Sequence, residues 1–431
     1  MPDVAKEFGE AGTNLYGWAF TAFFLGTLIG IVAVGGLVAR GLAAPFLGGL
    51  GLFAIGLLIG GLAPSMEVLI LARFIQGLGA GAIPPVAYVA IARSMPEEMR
   101  PRMFAWLSTA WALPGVMGPA IAGIVGDTVG WRAVFLGLLP LVVVAAVTTT
   151  PALRAVAPPP EAADAEAKAS ASLRRRLPLA VLVAAGTALF TAAITTGEPL
   201  ALVGLALPGL GLGVFALRRL TPPGTLRAAP GMPTAVLIRG LATFGFFAVD
   251  AYVSRVLVDL RGLTLAQAGI ALTATTITWT AGSWIQAHWN SRWPLYRFVR
   301  GGLLIVAAGI ATFALVVSPA VPAWIAVPTF ALAGLGMGLS YSPLGLIVLR
   351  EATPGEQGSA SSALSLTDAL GTALGTGVSG AIVAAGIRAT GGPAQGLAAA
   401  FGVGFVVVLL GAALAGRLQP ASHGGTAGAL R

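Results

Sequence analysis

The sequence predicts an all-α polytopic membrane protein with about 13 transmembrane helices. Of its 431 residues, 57% are hydrophobic and 10% are charged, whereas an ordinary soluble domain has about 25% charged residues. Uncharged stretches such as 43–64 approach the ~20 residues that a helix needs to cross the hydrocarbon core. These stretches are continuously apolar, while the strands of a membrane barrel alternate apolar and polar residues. The sequence therefore predicts a bundle of helices in lipid.

Charge, glycine and proline divide the apolar sequence into separate spans. The 60 glycines and 29 prolines fit helix packing and helix breaks within a membrane. The predicted spans are 16–38, 43–63, 67–92, 103–126, 132–150, 178–195, 199–217, 233–257, 265–289, 299–318, 322–349, 358–385 and 396–417.

The basic residues predict the orientation of these spans. One set of alternate loops holds eighteen Lys and Arg residues and the other set holds four, so the first set is predicted to be cytoplasmic. The N-terminus then lies outside. The net charge of +9 is explained by this topology, and we expect no nucleic-acid partner.

The chain is predicted to consist of two related halves. Residues 1–150 form a first helical bundle, 151–177 an Ala/Pro-rich cytoplasmic linker, 178–217 two additional helices, and 218–431 a second bundle with a short tail. The segment GLGAG (77–81) recurs as GLGMG (334–338), an offset of 257 residues, and Arg93 and Arg350 are related by the same offset. A parallel repeat of this kind is typical of transporters whose halves move about a central site.

Three motifs carry a resemblance to a known family. The first is LARFIQGLGAG (71–81), which places an Arg inside a span, followed by Gln-Gly-x-Gly. The second and third are GPAIAG (118–123) and WRAVF (131–135), which come later in the same half of the chain. Over nearly its whole length the chain resembles the major facilitator superfamily, and within it the fourteen-helix drug:proton antiporters. The resemblance implies two pseudo-symmetric bundles with two extra helices between them.

Matched to that family, the first span corresponds to the family's second helix, so we expect the first helix to be missing. The cytoplasmic loop after this span usually reads Gly-x-x-x-Asp-Arg-x-Gly-Arg, and here only Gly35 and Arg40 match. The corresponding loop of the second half keeps Arg292 and has Ser291 where Asp is expected. Arg40 and Arg292 are therefore the candidates for a gating loop.

Three charged residues inside spans are candidates for proton coupling: Arg73, Asp250 and Asp368. A charge within the bilayer is costly and commonly functional, and a carboxylate there is suited to take up and release protons. Each has a structural alternative. Arg73 can bind backbone carbonyls, Asp250 can pair with Arg255 or Arg239, and Asp368 can make a helix–helix hydrogen bond.

The remaining candidates concern the cavity and the antiporter motif. For the substrate cavity they are Gln76, Trp111, Trp279 and Trp284, where the tryptophans can stack on an aromatic or cationic substrate or serve ordinary packing. The segment GPAIAG (118–123) is similar to the family's antiporter motif, and the candidates for this motif are Gly115, Gly118, Pro119 and Gly123, which shape a flexible helix or allow close packing.

These features favour a secondary active transporter that exports hydrophobic or amphiphilic small molecules in exchange for protons. We expect a monomeric, multi-pass protein of the inner membrane that is not an enzyme and has no cofactor and no metal. A transporter of a specific metabolite on the same fold, since fold does not specify substrate, and a truncated, non-transporting membrane protein are the alternatives.

Overall fold

A computed structural model of the protein describes residues 7–157, 165–196, 200 and 202–419, and the regular secondary structure of this part of the chain is helical. We number its α-helices in chain order. They are α1 (Gly9–Leu37), α2 (Ala43–Gly61), α3 (Met66–Ser94), α4 (Arg100–Thr128), α5 (Trp131–Leu136), α6 (Leu139–Ala155), α7 (Ala165–Thr196), α8 (Leu207–Leu220), α9 (Met232–Arg255), α10 (Leu265–Trp289), α11 (Leu295–Ala314), α12 (Ala326–Glu351), α13 (Gln357–Thr390) and α14 (Ala394–Leu414).

Short 3₁₀ and π segments extend several of these helices. The 3₁₀ segments are Val38–Arg40, Thr225–Arg227, Leu315–Val317, Ala323–Ile325 and Ala415–Leu418, and the π segments are Leu202–Ala206 and Val256–Leu260. The helix pair α5 and α6 forms one span, Trp131–Ala155.

Each predicted span overlaps helix in the described residues, and twelve helices of this part are long and apolar enough to cross a membrane. The exception by composition is α10, which has 25 residues but carries five threonines. Four of these hydroxyls donate to backbone carbonyls, for example Thr275 to Ala271 and Thr278 to Ala331 on α12. Helix α10 therefore has the length of a span, and backbone carbonyls satisfy these threonine hydroxyls.

The predicted linker is shorter in the structure than 151–177. Helix α6 continues to Ala155, and α7 begins at Ala165. Alanine has the highest helix propensity, and the alanines around these boundaries extend both helices into the segment. Residues 158–164 lie outside the described part.

In the first half, α3 is the helix on which its neighbours pack most closely. A Cβ at Gly77 or Gly81 would lie within 3.0 Å of backbone atoms of α1, and a Cβ at Gly79 within 3.0 Å of the backbone of α2. Small residues allow such approaches between membrane helices. The glycines therefore place α1 and α2 on two faces of α3.

The second half repeats this arrangement 257 residues later. A Cβ at Gly334 or Gly338 on α12 would lie within 3.0 Å of α10, and one at Gly336 within 3.0 Å of α11. The reverse contacts agree, because Gly30 of α1 lies against Leu78 and Gly282 of α10 lies against Leu335. The sequence repeat thus corresponds to equivalent packing of α1, α2 and α3 with α10, α11 and α12.

The equivalence does not extend to the surroundings of α4 and α13. Gly375 of α13 packs on the backbone of Phe244 in α9. A Cβ at its counterpart Gly118 on α4, or at Gly123 further along, would have no neighbouring atom of the described chain within 4 Å. Among the described helices, the first bundle therefore has none in the position that α9 occupies in the second.

The two additional helices pack against both bundles. Gly186 of α7 and Gly209 of α8 lie against each other's backbone. Buried residues of both helices share one apolar cluster with Leu28 of α1 and Leu366 of α13. The pair α7 and α8 therefore covers the junction of α1 with α13.

Several polar contacts between the two bundles lie in the cytoplasmic halves of the described helices. Ser362 of α13 donates to the carbonyl of Ile31 in α1 at 2.7 Å, and Ser283 of α10 donates to Ser108 of α4 at 3.0 Å. Trp284 donates to Thr109 at 3.0 Å. The structure is therefore closed on the side that the charge distribution identifies as cytoplasmic.

On the side opposite to the cytoplasm, Glu7 is hydrogen-bonded to Trp131 and Arg132, and this contact, which we call the staple, fixes the start of α1. The indole Nε1 of Trp131 donates to Oε2 of Glu7 at 2.7 Å, and Nη1 of Arg132 donates to Oε1 and Oε2 at 2.7 and 2.9 Å. Arg132 also donates to the carbonyl of Ala63 at 3.0 Å. The hydrogen bond from Trp131 and then that from Arg132 hold the pKa of Glu7 below its usual range.

The glycine contacts predict a position-specific effect on stability. Gly79→Ala should destabilise the protein by about 1–3 kcal/mol, because its methyl group overlaps α2. Gly51→Ala on α2 is the matched control, since nothing in the described chain lies within 4 Å of a Cβ there. Unfolding in detergent measures both, and equal stabilities of the two variants would contradict the packing described here.

The staple predicts a pH-dependent contribution of Glu7. Since folding lowers its pKa, the contact stabilises the protein at neutral pH, and this contribution is lost as the pH falls through the lowered, folded-state pKa. The melting temperature of Glu7→Gln should therefore fall below that of the parent at pH 7 and approach it in acid. The control Glu98→Gln removes a carboxylate of the cytoplasmic loop. A difference between Glu7→Gln and the parent that is unchanged in acid would contradict the staple.

Candidate functional site

A buried ion pair joins α9 and α13 in the cytoplasmic half of the second bundle. Arg239 Nε donates to Asp368 Oδ1 at 2.9 Å, and the side chains are 1% and 28% exposed. Arg239 lies about 10 Å along α9 from its cytoplasmic end and Asp368 about 16 Å along α13, at about 1.5 Å per residue. The charge of Arg239 is thus removed from water, while the carboxylate stays partly accessible.

Two tyrosines complete the coordination of this pair. Tyr341 of α12 donates its hydroxyl to Asp368 Oδ2 at 3.0 Å, and its carbonyl accepts from Arg239 Nη1 at 2.8 Å. The guanidinium carbon of Arg239 lies 3.0 Å from the centroid of the Tyr341 ring. Arg239 Nη2 donates to the hydroxyl of Tyr88 at 2.8 Å. We call Arg239, Asp368, Tyr341 and Tyr88 the charge cluster.

The charge cluster connects the bundles, because Tyr88 belongs to α3 and the other three residues to the second bundle. A buried charge is stable only when paired and hydrogen-bonded. Neutralising Asp368 would remove the counter-charge of Arg239, and Arg239 is the group that binds Tyr88. The carboxylate of Asp368 is therefore linked, through Arg239, to a contact between the bundles.

Asp250, also on α9, is placed differently. Both arginines that the sequence offers as its partners are engaged elsewhere: Arg239 with Asp368 at 2.9 Å, and Arg255 with Asp259 at 3.2 Å. Among the described residues, no salt bridge includes Asp250. The salt bridge expected as the structural alternative for Asp250 is therefore wrong.

Arg73 and Gln76 form a local pair in the outer half of α3. Arg73 Nη1 donates to Gln76 Oε1 at 2.6 Å, and the guanidinium carbon lies 4.5 Å from the ring centroid of Phe23 on α1. Gln76 is buried beside Gly56 of α2, and its Nε2 has no hydrogen-bond partner among the described residues. Arg73 is therefore held within the first bundle, away from the charge cluster.

The three candidate tryptophans occupy separate environments. Trp279 lies 5.3 Å from Phe246 and 5.3 Å from Tyr341 between ring centroids, so it borders the charge cluster. Trp284 stacks edge-on with Trp106 at 5.2 Å across the bundle interface. Trp111 is 65% exposed on α4, within the described part of the chain. Of these three, Trp279 is the one that contacts the charge cluster.

The glycines of the antiporter motif lie on α4, the helix that also carries Trp111. A Cβ at Gly115 would meet only Thr276 of α10, at 3.7 Å, and Gly118 and Gly123 face open space within the described chain. The side chain of Pro119 lies outside the described part. Close packing, the structural alternative for this motif, is not observed at these glycines among the described residues.

Two arginines other than the predicted gating residues Arg40 and Arg292 make contacts between the bundles at the cytoplasmic side. Arg350, at the end of α12, pairs with Glu97 at 2.7 Å. Arg93, at the end of α3, donates through Nε to Gln357 of α13 at 3.3 Å. Each arginine thus reaches the opposite bundle, and their relation by 257 residues is the sequence signal for both.

The two predicted gating arginines are exposed on this same side. Arg40 ends the 3₁₀ segment after α1. The guanidinium carbon of Arg292 lies 4.8 Å from the ring centroid of Trp289, at the end of its own bundle's α10. A role of Arg40 and Arg292 in gating stays a prediction.

Sequence reasoning missed Tyr88 and Tyr341, and it assigned Arg239 only to Asp250. Tyrosines inside apolar spans give a weak signal, since packing alone accounts for most of them. Within the described residues, no three His, Cys, Asp or Glu side chains come together as a metal site.

Comparison with known proteins places this architecture in a family. The model of the Major Facilitator Superfamily matches residues 1–376. A probable multidrug-efflux transporter of Mycobacterium tuberculosis is 26% identical, over 94% of this chain and 87% of its own length. The cephamycin export protein of Amycolatopsis lactamdurans is 29% identical, over 98% and 88%.

A solved structure agrees with these relatives on the fold. The human organic anion transporter MFSD10 superposes with a TM-score of 0.67 and 16% identity, covering 94% of this chain and 84% of that one. At that identity the likeness concerns the fold alone. The chain belongs to the Major Facilitator Superfamily and is a multi-pass membrane transporter.

Proposed function

We propose that this transporter exports hydrophobic or amphiphilic small molecules in exchange for protons, with Asp368 as the proton-binding group. The observation that carries the proposal is the charge cluster, in which one carboxylate, one arginine and two tyrosines link the bundles. Antiport requires that proton binding change the conformation that the protein prefers.

The charge cluster supplies such a link. In the closed arrangement an ionised Asp368 pairs with Arg239, and Arg239 binds Tyr88. A proton on Asp368 cancels the attraction to Arg239 and weakens the contact with Tyr88, so the cytoplasmic ends separate more easily. Release of that proton to the cytoplasm restores the pair, and the transporter closes again around its cargo.

The relatives support the direction of transport. Two of them are named for multidrug efflux and cephamycin export, and they match most of this chain. One ring beside the charge cluster supports the class of cargo, because Trp279 is half-buried and lies 5.3 Å from Tyr341 between ring centroids. Aromatic faces bind apolar surfaces and cations alike.

Arg73 acts in this proposal only at a distance. Because Phe23 and Gln76 hold its guanidinium within the first bundle, it influences Asp368 through long-range electrostatics or a change of conformation. Asp250 is the second candidate for a proton site, since no salt bridge among the described residues holds its charge.

Removal of the carboxylate tests the proton site. Asp368→Asn in reconstituted vesicles should reduce substrate-dependent proton exchange at least about tenfold, the effect of about 1.4 kcal/mol in the coupling step. Asp259→Asn is the matched control, because it breaks an exposed pair at the outer end of α9. Asp250→Asn tests the second site. Parental proton-to-substrate ratios in both Asp368→Asn and Asp250→Asn would overturn proton coupling by either residue.

A paired replacement separates transport from stability. Asp368→Leu alone should cost about 3–5 kcal/mol, because it leaves Arg239 buried without a counter-charge, whereas Arg239→Met with Asp368→Leu should recover most of that loss. Transport should not recover with it. If the double variant exported substrate at the parental rate when driven by the proton gradient, the pair of Arg239 and Asp368 would have only a structural role.

The contact between the bundles is tested at Tyr88. Tyr88→Phe removes the hydroxyl that accepts from Arg239 and should shift the equilibrium toward the cytoplasm-open state by about 1–3 kcal/mol. Since the chain has no cysteine, spin labels at Glu98→Cys and Pro354→Cys report the opening without background. An unchanged distance distribution would show that Tyr88 does not bind the bundles together.

A further inference from the structure

A cavity lies at the cytoplasmic end of the two additional helices. It has a volume of about 290 Å³ and lies between the start of the span in α7, the end of α8 with the loop that follows, and the start of α13. The charged residues of its lining are Arg176, Arg219 and Glu356. No residue of the charge cluster lines it.

Both arginines of this cavity lack an acidic partner in the described chain. Arg176 donates through Nη2 to the carbonyl of Leu220 at 3.1 Å, which uses one of its five N–H groups. Arg219 lies with its guanidinium carbon 4.8 Å from the ring centroid of Phe215. Other N–H groups of the two guanidiniums are therefore available to an anion.

The one carboxylate of the lining is engaged by its own loop. Oε2 of Glu356 accepts from the hydroxyl of Thr353 at 2.8 Å and from the backbone N–H of Thr353 at 3.4 Å. Further positive charge surrounds the cavity, since Arg174, Arg175 and Arg218 are exposed next to its two arginines. The field at the cavity is therefore positive.

The cavity lies at the level where lipid head groups meet the cytoplasm. Arg176 is close to the inner end of the span Leu173–Ile194, and Arg219 to that of Val203–Leu220. Phe215, one turn closer to the bilayer centre than Arg219, has 48% of its surface exposed. An anion bound by the arginines can therefore continue into an apolar tail.

We propose that this cavity binds the phosphate head group of an anionic phospholipid of the inner leaflet. Arg176 and Arg219 hold the phosphate oxygens with charge-assisted hydrogen bonds, and the acyl chain lies along Phe215. Basic pockets between membrane helices on the cytoplasmic side are suited to such head groups. The lipid connects α7 and α8 to α13, the helix that carries Asp368.

Lipid-dependent stability tests the site. The full-length protein is placed in nanodiscs of phosphatidylcholine with or without phosphatidylglycerol, and its melting temperature is measured. Phosphatidylglycerol should raise the melting temperature of the parent, and Arg176→Gln with Arg219→Gln should abolish that shift. The control is Arg218→Gln, which removes one charge at the end of α8 but does not line the cavity, and its matched comparison is Arg219→Gln alone.

Native mass spectrometry gives a second readout that does not depend on the variants' stability. The parent and Arg218→Gln should retain one more phosphatidylglycerol than the double variant. Equal retention, or an equal loss of the thermal shift in Arg218→Gln, would mean that diffuse surface charge attracts the lipid and would overturn the site. A matching shift from inorganic phosphate in phosphatidylcholine discs would assign the cavity to a free anion and overturn the lipid.

Discussion

The burial of Arg239 is the constraint on which the rest of the described architecture depends. The side chain of Arg239 is 1% exposed. Inside a membrane span, such an arginine is stable only if its guanidinium N–H groups have hydrogen-bond acceptors and its charge is paired. Asp368, the carbonyl of Tyr341 and the hydroxyl of Tyr88 meet these requirements, and these groups come from α13, α12 and α3. Satisfying one cation on α9 therefore requires four helices from two bundles to meet.

Glycine contacts supply the rigid frame around this cation. The repeated glycines of α3 and α12 bring α1, α2, α10 and α11 to backbone contact, so each three-helix unit can move as one body. The described polar contacts between the bundles lie in their cytoplasmic halves. Stiff units joined by breakable contacts are what alternating access requires.

Much of this fold could be predicted from the sequence, because it follows from local signals. Apolar length locates the spans, loop arginines orient them, and the offset of 257 residues identifies helices that pack equivalently. Asp368 is found from its position inside an apolar span. The end of α6 and the start of α7 could not be predicted, since a charged, Ala-rich segment is compatible with either a helix or a linker.

The partners of the buried charges could not be predicted, because they depend on contacts between distant helices. Arg239 and Asp368 are 129 residues apart. A pair of Arg239 with Asp250 is excluded by helix geometry, since their separation along one helix is about 16 Å. Tyr88 and Tyr341 carry no charge and so give no signal of burial cost, although their hydroxyls complete the charge cluster.

A proton on Asp368 should loosen the cytoplasmic side of the transporter, and this link is what the proposed exchange depends on. It is measured most directly as the distance between spin labels at residues 98 and 354 as a function of pH, without substrate. Acid should increase the population with separated cytoplasmic ends in the parent, and Asp368→Asn should show no such pH dependence. The same pH dependence in Asp368→Asn and the parent would contradict the link.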